Sequence, residues 1–170
     1  MVTGLKASSS VVSIGFQTLE SAANTLTQSS VDLNLSPLDR EVFVVLAINM
    51  DPFFPDGIPG LDTSVNAALT TTSQTTMPEI SNSNCLAKAT HFIAGANYVD
   101  TGVGFSQAAL ETPPSTLDFI GIIATNDFFV QVEGIGNGIA KGINGKLYGY
   151  RARADASIYS ALVQSEVLSA

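Results

Sequence analysis

The sequence predicts an all-β protein: an antiparallel β-sandwich of jelly-roll type with at most one short helix, at the carboxyl end. Three observations predict it. Val31, Leu33 and Leu35 alternate with Asp32, Asn34 and Ser36, the period of a half-buried strand. Further segments rich in β-branched and aromatic residues follow with turn residues between them, which suits a sandwich of about five to eight strands. Long loops separate several of these segments, favouring Greek-key or jelly-roll connections over simple hairpins. At 170 residues the chain is most simply one domain, 1–170.

Residues 11–20, "VVSIGFQTLE", read as the first strand, behind a flexible start over about residues 1–10. The 31–35 strand is closed by "PLDR", with proline placed to begin a turn. In "EVFVVLAINM", Val42, Val44, Leu46, Ile48 and Met50 share one face, and Phe43, Val45 and Ala47 make the other apolar too. Such a strand lies centrally in a sheet covered on both faces, or is covered by a neighbouring subunit. From 51 to 60, three prolines and two glycines exclude helix and central strand. The loop so defined holds Phe53 and Phe54.

The Thr/Ser-rich stretch 62–84 has room for a strand around 65–72 and is otherwise a loop ordered on contact. "CLAKATHFIAGA" sets Leu86, Lys88, Thr90 and Phe92 on one strand face. "NYVDTGVGFSQAAL" continues with Tyr98, Val103 and Phe105, and "ETPPST" is a rigid connector. Residues 117–124 and 128–133 are strands around a "TND" turn. A flexible glycine-rich hairpin then leads into a last strand over 142–154, where Asn144–Gly145 is a further hairpin signal. The tail fits a short helix with Ile158, Leu162, Val163 and Val167 as its stripe and Asp155 or Ser157 as N-cap. Extension of the preceding strand is the other reading.

Composition narrows the function. The chain is 45% hydrophobic, too apolar for disorder. Only 13% of its residues are charged, about half the usual ~25%. A polar but uncharged surface suits burial against neighbours, because hydroxyls and amides cost less to desolvate than ions. The formal net charge is −8, and the cations Lys6, Arg40, Lys88, Lys141, Lys146, Arg151 and Arg153 never form a run. Phosphate recognition needs clustered cations, so direct binding of nucleic acid or anionic membrane is not expected. The amino terminus has no apolar core of signal-peptide length, and no apolar run approaches the ~20 residues of a membrane span. A soluble protein made in the cytoplasm is expected.

No enzyme is expected either. Cys85 and His91 are single, which leaves no disulfide and no Cys/His metal site, and no G-x-S-x-G elbow is present. Asp51, Asp56 and Asp62 flank the aromatic loop, as solvated acids or as oxygen ligands for Ca²⁺ outside the EF-hand spacing. "EGIGNGIAKGINGK" lacks both the G-K-S/T of a phosphate loop and a helix after it. No cofactor is expected.

Two features point to contact instead. Phe53 and Phe54 either plug one end of the sandwich or anchor a contact surface. Arg151 and Arg153 alternate with alanines, so both guanidiniums leave one strand face about 7 Å apart. They pair with a neighbouring subunit's carboxylates or lie solvated on an edge strand.

β-rich, loop-heavy, polar without charge, with neither export signal nor catalytic group, nearly the whole chain resembles the small coat subunits of icosahedral viruses. The resemblance implies a jelly-roll capsid or capsid-associated protein located in the virion, with copies of itself and other virion proteins as partners. One departure stands out. Many coat proteins of RNA viruses carry a basic amino-terminal arm, whereas "MVTGLKASSS" offers one lysine. A surface filament, spike or decoration subunit meets the same physics. A carbohydrate-binding β-sandwich module is a third class, and the absence of Trp counts against it.

Overall fold

A computed structural model describes residues 3–100, 102–109 and 117–170. The strands are β1 (Leu5–Ala7), β2 (Val12–Leu19), β3 (Thr27–Asp32), β4 (Glu41–Pro52), β5 (Thr63–Thr70), β6 (Cys85–Ala94), β7 (Val103–Ala109), β8 (Gly121–Ile123), β9 (Asp127–Ile135) and β10 (Gly142–Ala154). One helix, α1 (Ala156–Leu168), follows. The "ETPPST" connector lies outside the described residues.

The strands form two antiparallel five-stranded sheets. In the first, β10 pairs with β2 and β1 along one edge and with β4 along the other, and β4 pairs with β8. The second runs β3-β9-β5-β6-β7. Leaving β1 and β7 aside, the sheets are β2-β10-β4-β8 and β3-β9-β5-β6. Every connection within this set passes from one sheet to the other except β5 to β6. That is the jelly roll expected from the sequence.

Between the sheets lies a core of Phe16, Phe43, Ile48, Leu69, Phe128 and Leu147, with smaller aliphatics around them. Phe16 meets Phe128 edge-on at 5.8 Å between ring centroids. The expectation that 41–50 is apolar on both sides and covered on both holds, but its face assignment does not. The register of β4 against β10 slips at Tyr148/Gly149, so Leu46 is an extra residue. This bulge reverses the alternation. Val42 and Val44 point outward, whereas Ile48 and Met50 join Phe43 and Val45 in the core. The outward set is covered by Ile158, Tyr159, Leu162 and Val163 of α1 and by Leu5, so no neighbouring subunit is needed there.

Other local expectations are corrected. Asn144–Gly145 is not a hairpin but mid-strand, paired on both sides with Gln17–Phe16 and Asp51–Met50. A Cβ on Gly145 would overlap the Phe16 ring and press on the Asn49 carbonyl, so this glycine makes room for the core. The 51–60 segment is not all loop, since Asp51 and Pro52 extend β4. Proline is tolerated because β8 stops pairing at Val45, leaving that stretch of β4 with a free edge. The 31–35 alternation is only half a strand. β3 ends at Asp32, and Asn34 turns the chain at φ +51°. Leu33 and Leu35 stay buried because Asn126 accepts both amides, through its carbonyl (2.7 Å) and its Oδ1 (2.7 Å). Within the start read as flexible, Leu5–Ala7 pairs with β10. Gly4, at φ +82°, leaves space there for Ile158 of the helix.

The helix is present, with Asp155 as N-cap, but its stripe is shifted. Val167 is exposed and Glu166 is buried. The Glu166 carboxylate accepts the amides of Ala124 (3.0 and 3.1 Å) and Thr125 (2.9 Å), clamping the helix to the turn before β9. Burial pushes its pKa above the ordinary 4.5, although those amide bonds pull the other way. A carboxyl with a raised folded-state pKa stabilises most below the unfolded value and loses that contribution as pH rises through the folded one. The melting temperature of the parent, measured against Glu166→Gln by circular dichroism, is therefore expected to fall progressively as pH rises above the ordinary carboxyl range. A pH-independent difference would mean that the amide bonds offset the burial of the carboxyl.

Candidate functional site

The 53–62 loop is bolted down by polar side chains. Asp56 meets Lys141 Nζ at 2.6 Å through Oδ1 and accepts the amides of Gly138 (2.9 Å) and Ile139 (3.3 Å) through Oδ2. The Lys141 hydrogen bond is the main influence holding the Asp56 carboxyl below its usual range. The Asp56 amide donates to Asn137 Oδ1 (2.9 Å), and its carbonyl accepts from Thr63 (2.7 Å). Buried Asn137 also donates to the Ser64 carbonyl and exchanges two 2.8 Å bonds with Asn24. Glu20, also buried, accepts the amides of Gly134 (2.6 Å), Lys141 (2.7 Å) and Thr25 (3.1 Å). The glycine-rich connection between β9 and β10 is thus not the flexible hairpin expected. Its amides are taken by Glu20, Asp56 and Asn24, which fix its path.

Phe53 continues the β4 ladder, donating its amide to Gly142 at 2.8 Å, and is half-buried. Phe54 lies over the inner face of β6 and β7, 5.0 Å from the His91 ring and close against Gly104. Yet 53% of it remains exposed. It covers the mouth of the sandwich and still presents a ring face to solvent.

The turns at the same end of the sandwich, and the outer face of β7 beside them, carry further apolar groups. Asp62 accepts the amides of Gly95 and Ala96, both at 2.9 Å, and Gly60 donates to Tyr98. These bonds draw the β6–β7 turn against the loop, while Asp56 draws in the β9–β10 connection. Leu61, Tyr98, Val99, Val103, Phe105 and Ile139 all stand exposed here, Val99 at 86%. Sequence reasoning missed this cluster. Its signal was present, as single large apolar residues inside breaker-rich runs such as "GIPGL" and "GIGNGIA".

The two arginines do not join it. Arg151 pairs with Phe43 whereas Ile143 pairs with Pro52, which puts the arginines roughly 27 Å along β10 from the aromatic loop. They share a face as expected but differ in use. Arg151 donates Nη2 (2.8 Å) and Nε (3.3 Å) to the carbonyl of fully buried Leu33. The Arg153 side chain is 59% exposed and stands 4.0 Å from Asp39. Asp51, Asp56 and Asp62 do not converge, and among the described residues no His, Cys, Asp and Glu cluster could hold a metal ion. Cys85 is buried, which pushes its thiol pKa up. His91 has its Nδ1 buried without a hydrogen-bond partner. No helix among the described residues is long and apolar enough to cross a membrane.

The unequal surroundings predict unequal effects. Arg151→Gln, which strips a buried carbonyl of its donor, should lower unfolding free energy by about 1–3 kcal/mol. Arg153→Gln should change it by less than about 0.5 kcal/mol. Urea denaturation of both variants checks this, and equal losses would contradict the assignment.

No family model matches the chain, and no curated protein matches it. Among solved structures it is similar to a chain of Desmodium yellow mottle tymovirus, with 15% identity and a TM-score of 0.33. The alignment covers 87% of this chain and 91% of that one. It is also similar to a chain of turnip yellow mosaic virus, with 11% identity and a TM-score of 0.28, over 86% of this chain and 97% of that one.

Proposed function

We propose that this protein is a structural, self-assembling subunit, a capsid (coat) protein of a virus or phage particle. Its principal partners are copies of itself, and its place is the virion. The observation that carries this reading is the apolar end of the sandwich. Scattered surface hydrophobics are ordinary, but an apolar end held in place by a network of side-chain hydrogen bonds marks a contact surface. Here Asp56 and Asp62 turn their charge onto backbone amides and Lys141. The rigid loop presents Phe54, beside Tyr98 of the β6–β7 turn that Asp62 and Gly60 hold against it, with less carboxylate charge facing outward and little conformational entropy left to lose on docking.

Low charge supports the same reading. Subunits with a net charge of −8 repel one another, and contacts through uncharged surface avoid adding desolvated ions to that cost. Exposed Arg153 faces a neighbour's carboxylate in this scheme, while Arg151 serves its own chain. Assembly by many weak contacts asks for no catalytic residue, cofactor, metal or direct nucleic-acid contact.

The test is the assembly state of the purified chain, by light scattering and negative-stain microscopy over a range of ionic strength. Closed particles that form more readily as salt screens the acidic charge are expected. Filaments would move the reading to a surface-filament subunit, and a monomer at every concentration would overturn it. Phe53→Ser/Phe54→Ser should raise the concentration needed for assembly about ten-fold, ~1.4 kcal/mol, with a smaller loss in stability of the isolated subunit.

A further inference from the structure

Strand β7 stands outside the eight-strand jelly roll. It pairs with β6 alone, and no described strand lies along its other edge. Every described side chain from 102 to 107 is exposed, those facing inward as well as those facing outward. Among the described residues the strand overhangs the sandwich: only Phe54 touches its inner face at Gly104, 102–107 stay exposed, and no described strand pairs along its outer edge. On its outer face Phe105, 55% exposed, stacks on Phe92 at 6.5 Å, beside Val103 at 43%. On its inner face Gly104 meets only the tip of Phe54.

An open edge is a template for another strand, and proteins that must stay monomeric blunt it with lysine, proline or a bulge. β7 carries none of these. Its register with β6 is unbroken, and "GVGFSQAA", 102–109, has neither a charge nor a proline.

We infer that the β7 edge docks a second copy of this chain, β7 against β7, antiparallel about a two-fold axis. The two second sheets would then become one continuous ten-stranded sheet. The inference rests on the assembly reading and assigns that assembly its pairwise contact. Charge selects the occupant. Identical chains of net charge −8 repel, so they meet most readily through a segment that carries none of that charge. Antiparallel pairing about a two-fold suits identical strands, because each offers the donors and acceptors the other needs. Val103 and Phe105 lie on one face and would meet their symmetry mates across the seam, extending the Phe92–Phe105 stack. The seam also borders the apolar loop end, so one contact covers part of both.

The test uses the full chain with Cys85→Ala as background. V103C, F105C and Q107C are oxidised singly at a concentration where the parent associates, with S13C on the far sheet as control. A disulfide-linked dimer is expected from at least one of the three and not from the control. In parallel, Phe105→Lys and Gln107→Lys should raise the dimer dissociation constant at least ten-fold by sedimentation, with melting curves close to the parent's. If Phe105→Lys fails to fold, Gln107→Lys and the cross-links decide. If the parent assembles while both lysine variants assemble equally well and no β7 cysteine cross-links, this contact is wrong and the assembly reading stands. If the parent is monomeric throughout, both fall.

Discussion

The whole sandwich is registered against β10. This strand of 13 residues holds β2, β1 and β4 along its two edges, and its side chains serve two cores. Ile143 and Leu147 point into the space between the sheets, and Ala152 and Ala154 point to the helix. It works only if its partners adjust to it. The bulge at Leu46 lets β4 follow β10 while feeding both cores, and Gly145 lets the Phe16 ring lie across the ladder. Arg151 ties the far end of β10 to the Leu33 carbonyl, so the strand reaches across to the second sheet's first edge.

A polar clasp does for the loop end what β10 does for the sheets. Loops at the mouth of a jelly roll have no ladder to hold them, and their amides need partners wherever water is excluded. Glu20, Asp56 and Asn137 supply them from three separate segments, and Lys141 pairs with the Asp56 carboxylate. The result is a surface apolar at its tips and saturated with hydrogen bonds beneath. Rigid presentation matters for any contact built from small areas, because each freed side chain or loop subtracts from a weak association.

The distribution of charge fits that economy. Of the carboxylates described above, Glu20, Asp56, Asp62 and Glu166 face backbone amides of their own chain. The chain's other carboxylates include exposed Asp32, Asp39, Asp51, Glu79 and Asp100, whereas the overhanging strand carries none. A molecule arranged this way keeps its acidic character as long-range repulsion while leaving its contact regions neutral, which tunes association to ionic strength.

The amino-acid sequence by itself determined the fold class, the doubly apolar strand over 41–50, the breaker-rich aromatic loop and the short carboxyl-terminal helix. Each is written in local periodicity and turn chemistry, which neighbouring residues set among themselves. Tertiary structure alone decided the rest. The face of Ile48 turned on a one-residue slip against a strand a hundred positions away. Asn144–Gly145 reads locally as a turn and is a strand because Phe16 needs the space. Arg151 and Arg153 look equivalent two residues apart, yet only one finds a buried carbonyl within reach. The rigidity of the glycine-rich connection comes from Glu20, Asn24 and Asp56, and the exposure of β7 comes from the width of the opposite sheet. Contacts between residues distant in sequence carry no periodic signature, so they become legible only once the sheets are stacked.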